Sequence, residues 1–162
     1  MKILYLHGYK TKPNHQRIGY LQELGHEVVA PYIKYGKQPN ILLELLEDDY
    51  DMVIGSSLGA YMGFYLSSYK SISCVAFNPP LTKELIININ TPENWNYEGI
   101  EPKTIDIILG LKDKVVNPLE TLELLTFDST LQKVNIHVYA DMTHIIQFNE
   151  FKEVMDMVLS RN

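Results

Sequence analysis

The sequence predicts an α/β fold. It reads as a single domain over residues 1–162, a mainly parallel six-stranded sheet with helices on both faces. Three observations predict it. Short apolar runs alternate with amphipathic stretches along the chain, the pattern of strand and helix layers. The apolar runs are near-continuous in Val, Ile and Leu, as strands covered on both faces must be. The 162 residues suit one core of sizeable volume, and they contain no internal repeat and no low-complexity tract.

Taken in order, "KILYLHGY" reads as a buried strand ending at His7-Gly8. "KTKPNHQRIG" is polar and loop-like, and "YLQELGHE" is a short helix ended by Gly25. "HEVVAPYI" is a second strand, broken by Pro31. "NILLELLEDDY" carries apolar residues at helical spacing with Asn40 at its N-cap. "DMVIGS" is a third strand, and "SLGAYMGFYLSSY" a helix buried on most sides. "SISCVAFNPP" is a fourth strand stopped by its two prolines, and "KTIDIILGLKD" a fifth. "NPLETLELLTF" is a helix with Asn117 as cap and Pro118 at the first helical position. "KVNIHVYA" is a sixth strand. The closing "NEFKEVMDMVLSRN" is an amphipathic helix, apolar at Phe151, Val154, Met155, Val158 and Leu159. Residues 81–102, with Pro92, Trp95, Tyr97 and Pro102, fit the alternation least. They read either as a small lid over the carboxyl ends of the strands or as a long loop.

The composition, 46% hydrophobic and 21% charged, is that of a globular chain. A net charge of −6 and the absence of any basic run argue against a nucleic-acid surface. No apolar run reaches the roughly 20 residues needed to span a membrane. The N-terminal run is short and lacks an A-x-A-like cleavage site, so it reads as a first strand. The lone Cys74 cannot form an internal disulfide and lies in an apolar run, so a packed core thiol and a reduced, cytoplasmic setting are expected. Motifs for nucleotide phosphates, dinucleotides and zinc are missing, and no metal or cofactor is expected.

Chemistry concentrates at "DMVIGSSLGAYMGFY", residues 51–65. Gly55-Ser56-Ser57-Leu58-Gly59 fits G-x-S-x-G with Ser57 at its centre. In such a strand-to-helix turn the serine sits in a strained backbone, and the flanking glycines let strand and helix approach. Ser56 has no glycine two residues to either side. A serine hydroxyl needs a base near neutrality, oriented by a carboxylate; where the serine sits on such a strand-to-helix turn, the chain order is serine, acid, histidine. Of the two histidines after Ser57, His137 lies inside a strand, whereas His144 follows that strand in a loop, where functional groups gather. His144 is therefore the candidate base. Asp113, just past the fifth strand, is the candidate acid. Asp106 lies within the strand, Asp128 follows a helix, and Asp141 is the closest rival. An oxyanion needs two preorganised N–H groups, for which Leu58 and Tyr9 are the candidates. His7, Gly8 and Tyr61 are candidates for the substrate pocket, with His7 also suited to holding its loop by hydrogen bonds.

These pieces together resemble the α/β-hydrolase superfamily, and within it the small YqiA-like esterases. The resemblance rests on "LYLHGY", "IGSSLGAYMG", "AFNPP", "GLKDKVV" and "MTHII", which run in order through essentially the whole chain. It implies a minimal α/β-hydrolase fold lacking the N-terminal antiparallel strands of larger relatives. It also implies esterase activity on small-molecule acyl esters or thioesters, with Ser57, Asp113 and His144 as triad and no cofactor. Met142-Thr143 stands where a small residue often precedes the histidine, and Ala60 where a second glycine is frequent. A non-catalytic ligand- or partner-binding protein of the same fold, or an acyltransferase, fits the same residues. Nothing in the sequence sets an oligomeric state.

Overall fold

The structure is a computed structural model in which residues 1–81, 87–92, 103–127 and 134–161 are described. The elements run β1 (Lys2–Leu6), α1 (His15–Glu23), β2 (Glu27–Val29), α2 (Ile41–Leu45), β3 (Met52–Ser56), α3 (Leu58–Lys70), β4 (Ser73–Phe77), β5 (Ile105–Gly110), α4 (Pro118–Phe127), β6 (Val134–Tyr139) and α5 (Phe148–Leu159). The six strands form one sheet in the order β2-β1-β3-β4-β5-β6, and every neighbouring pair is parallel. The predicted α/β class, strand number and direction are thus observed.

Because side chains alternate along a strand, each strand feeds two cores. Leu4, Val53, Ala76 and Ile107 face one core with Leu42 of α2, Met62 of α3 and Leu125 of α4. Ile3, Ile54, Val75 and Ile108 face the other with Leu21 of α1 and Phe151 and Met155 of α5. Cys74 is buried in the first core, as expected, and desolvation pushes its thiol pKa up. In α5 the residues Phe151, Val154, Met155 and Val158 are buried, at the predicted spacing.

The local differences from the sequence reading have physical causes. The first helix starts at His15 rather than Tyr20, because the Asn14 side chain accepts the N–H groups of Gln16 and Arg17, both at 3.1 Å. Polar residues read as loop are therefore its first turn. Asn40 precedes α2 but makes no side-chain cap; its Oδ1 accepts instead from Asn90 Nδ2 at 2.6 Å. Asn117 does cap α4, accepting Leu119 N–H at 3.1 Å. Of the segment 81–102, residues 82–86 and 93–102 lie outside the described residues, as does Asp128. Among the described residues no helix is long and apolar enough to cross a membrane.

The strand order sets the location of any site. From β1 the chain moves one way to β2, then crosses back to β3 and continues the other way. Loops after β1 and β3 consequently diverge and leave a crevice at the carboxyl ends of the strands, where ligands bind in open parallel sheets.

Phe151 anchors the α5 side. It is fully buried and meets Phe77 at 5.7 Å and Tyr5 at 6.4 Å between ring centroids. A Phe151→Ala variant is expected to lose about 4 kcal/mol of stability, checked by urea denaturation.

Candidate active site

Ser57 joins β3 to α3 with φ 54° and ψ −121°, a positive φ that non-glycine residues rarely adopt. Two glycines make this turn possible. A Cβ on Gly55 would lie 2.3 Å from the Gly59 carbonyl oxygen, and one on Gly59 would lie 2.4 Å from that of Leu6. Helix and strand therefore touch backbone to backbone. The turn is held by Ser57 N–H donating to Phe77 O at 2.8 Å and Tyr61 N–H to Ser57 O at 2.9 Å. Although Ser57 occupies the N-cap position, its hydroxyl makes no capping bond. Leu58 opens the helix, so its N–H belongs to the first turn, which has no intrahelical acceptor.

Asp113 and His144 are brought together from loops after β5 and β6. His144 Nδ1 donates to Asp113 Oδ2 at 2.7 Å. Asp113 Oδ1 accepts the backbone N–H groups of Val115 at 2.7 Å and Val116 at 2.9 Å. The Asp113 side chain is fully buried, and that of His144 is 22% exposed. An ionised carboxylate only accepts, so of the two neutral tautomers it selects the one with the hydrogen on Nδ1 and the lone pair on Nε2. Asp141, the rival acid, pairs with Lys112 Nζ at 2.6 Å, and that bond lowers its carboxyl pKa. Asp106 accepts from His137 Nε2 at 2.7 Å and Arg161 Nη1 at 2.9 Å. Both rivals and His137 are occupied elsewhere.

Ser57 and His144 line one hollow of about 200 Å³ together with Gly8, Tyr9, Ser56 and Arg17. Gly8 packs against the serine, since a Cβ there would lie 3.3 Å from Ser57 Cβ. The loop after β1 curls at this point, with Thr11 N–H and hydroxyl both donating to Gly8 O at 3.3 and 2.8 Å. Tyr9 thus sits beside the serine turn.

His7 and Tyr61 do not line that hollow. The His7 ring is a brace: Nδ1 donates to Gly8 O at 2.8 Å, and Nε2 accepts Ile33 N–H at 3.0 Å. It also lies edge-on to Tyr35 at 5.3 Å, whose hydroxyl donates to His7 O at 2.6 Å. Burial lowers its pKa. Tyr61 turns instead toward Tyr65, with ring centroids 4.5 Å apart. Among the described residues no group of three or more His, Cys, Asp or Glu converges as a metal site.

Two residues had no assigned role in the sequence reading. Asn78, at φ 48° after β4, accepts Gly110 N–H through Oδ1 at 2.8 Å and donates Nδ2 to Thr143 O at 3.0 Å. It ties the end of β5 to the residue before His144. Its only sequence signal was its place in "AFNPP". Arg17 reaches the hollow from α1, with Nη1 donating to Ser56 Oγ at 3.4 Å and Tyr5 Oη at 3.3 Å.

Residues 2–99 match the family described as "Uncharacterised protein family (UPF0227)". The chain belongs to this family. It is the YqiA-like group that the sequence motifs resemble. No curated protein matches the chain. Solved structures align with this UPF0227 member along nearly its whole length. An esterase of Pyrococcus furiosus matches at 22% identity with TM-score 0.69, covering 99% of this chain and 81% of that one. Est1E of Butyrivibrio proteoclasticus matches at 14% identity with TM-score 0.66, covering 99% and 87%. An α/β serine hydrolase without a lid from Xanthomonas campestris matches at 15% identity with TM-score 0.62, covering 98% and 79%. At these identities the likeness shows the α/β-hydrolase fold.

Two outcomes follow from the turn and the brace. A Gly59→Ala variant is expected to lose about 3 kcal/mol, because the new Cβ meets the Leu6 backbone rather than a movable side chain; thermal denaturation measures it. His7 has a folded pKa below its unfolded value of about 6.5, so the unfolded chain takes up the proton first as pH falls. Its stabilising contribution is full above about pH 6.5 and declines below that, down through the lowered folded pKa. The melting temperature of wild type should therefore fall more steeply between about pH 7 and 5 than that of His7→Gln.

Proposed function

We propose that this protein is a serine hydrolase acting on small acyl esters or thioesters through an acyl-enzyme intermediate. One observation carries the reading. His144 is oriented by a buried carboxylate at 2.7 Å, and it shares a hollow with a serine held at φ 54°. A packing serine has no need of that strain, which clusters where a side chain must be presented.

Ser57 Oγ attacks the acyl carbonyl as His144 Nε2 takes its proton. Asp113 keeps the ring in the Nδ1–H tautomer and stabilises the imidazolium that forms. The carbonyl oxygen gains negative charge and is held by the N–H groups of Leu58 and Tyr9. One such donor contributes on the order of 3 kcal/mol to the transition state. The imidazolium then protonates the leaving group, which departs. Water, deprotonated by His144, attacks the acyl-Ser57 ester, and the acid product leaves with the serine restored. The fold likeness to esterases supports this assignment.

Purified protein is expected to hydrolyse short-chain p-nitrophenyl esters and to form a covalent fluorophosphonate adduct at Ser57. Ser57→Ala should lower kcat by on the order of 10⁴-fold or more and abolish labelling. Asp113→Asn should lower kcat by about 10³- to 10⁴-fold, through loss of the tautomer. Wild-type rates in Ser57→Ala would refute the assignment.

A further inference from the structure

Charge is distributed unevenly along this acidic chain. Residues 1–22 and 28–43 hold Lys2, Lys10, Lys12, Arg17, Lys34 and Lys37 and contain no Asp or Glu, although the whole chain has 20 acidic residues against 14 basic. The fold folds these two stretches toward each other as the loops after β1 and β2. Lys10, Lys12, Lys34 and Lys37 line a second hollow of about 430 Å³. Tyr9 and Thr11 line both this hollow and the one that holds Ser57, so the two adjoin.

Among the described residues the four lysines have no acidic partner. Elsewhere Lys70, Lys112 and Lys152 each pair with an aspartate. Among the described residues none of the four lysines of the hollow does so; the only charge contact is Lys10 Nζ over the Tyr9 ring at 5.2 Å. Four exposed like charges in one concavity repel one another, and a low-dielectric wall concentrates their field.

Arg17 is an independent sign of the same polarity. Its residue is 8% exposed and it lines the Ser57 hollow. Among the described residues its hydrogen-bond acceptors are neutral oxygens, those of Tyr5, Ser56 and Ile146, and its buried Nε has no partner. A buried guanidinium without a carboxylate retains an uncancelled charge.

We infer that the substrate of this site is an anion: beyond its scissile carbonyl, on the side that runs past Tyr9, it carries a multiply charged phosphate or carboxylate group held by Lys10, Lys12, Lys34 and Lys37. The inference rests on the serine-hydrolase reading for the identity of the reacting carbonyl. The lysines supply ammonium point charges suited to phosphate oxygens, and Tyr9, Tyr32 and Tyr35 supply the walls. Arg17 keeps the potential positive up to the serine. The anionic group takes no part in bond making, so its contribution lies in binding and capture.

Three chromogenic esters of the same acyl and leaving groups separate the possibilities: one neutral, one ending in a phosphate, one ending in two carboxylates. Wild type is expected to favour at least one charged ester over the neutral one by about tenfold or more in kcat/KM at low salt. That preference should shrink at about 0.5 M salt, where charges are screened within a few ångströms. A gain with the phosphate alone assigns a phosphate-bearing substrate, and a gain with the carboxylates alone a polycarboxylate. In Lys10→Gln/Lys12→Gln and in Lys34→Gln/Lys37→Gln the preference should fall most of the way to unity, through KM. Equal kcat/KM for all three esters, or a preference untouched by the lysine substitutions, overturns the inference. Pyrophosphate titrated into the protein by calorimetry distinguishes its failure from that of the hydrolase reading. If no ester is cleaved, hydrolysis is wrong. Pyrophosphate binding that the lysine variants lose then still supports the anion site, and the absence of binding overturns it.

Discussion

A Cβ on Gly59 would sit 2.4 Å from the Leu6 carbonyl oxygen, so the first turn of α3 lies directly on the end of β1. That contact fixes three things at once. It brings the positive end of a helix to the sheet rim. It forces the chain at Ser57 into its left-handed conformation, because strand and helix must meet within one residue. It also places Gly8, the residue two beyond Leu6, against the serine. The Ser57 turn, the helix N–H groups and the position of the β1 loop are consequences of one backbone approach that no residue with a side chain permits.

Asp113 and His144 are held in place by a second close approach. A Cβ on Gly110 would lie 2.4 Å from Met142 O, and Lys112 N–H donates to that same oxygen at 3.0 Å. The loops after β5 and β6 thus rest on each other before the Asp113–His144 bond is counted. Asn78 joins them from below through Gly110 and Thr143. The His144 loop is held by packed backbone on one side and the ring by a carboxylate on the other, so the imidazole keeps little conformational freedom.

How much of this was legible depends on how local each determinant is. The strands were legible because both cores draw on every strand, leaving unbroken apolar runs such as "MVI" and "CVAF". Ser57 was legible because the glycines that allow the turn sit two residues to either side of it. Asp113 and His144 followed from chain order and from their places past strand ends. Asn78 and Arg17 were not, since their partners lie 12 to 129 residues away and leave no local spacing. The start of α1 was missed because an asparagine cap, not apolar periodicity, defines it. The lysine-lined hollow was invisible for the same reason: a search for a basic run finds none when the cluster is assembled from positions 10–12 and 34–37 by the sheet.

Cys74 adds a property unrelated to the loops above it. Its thiol is 1% exposed, in the middle of the sheet, and burial raises its pKa away from the reactive thiolate. It is also the sole sulfhydryl of the chain. A thiol-specific reagent in solution therefore meets no accessible thiol until β4 parts from its neighbours. The rate of its modification becomes a clock for opening of the sheet itself, read out at a single residue without any added label.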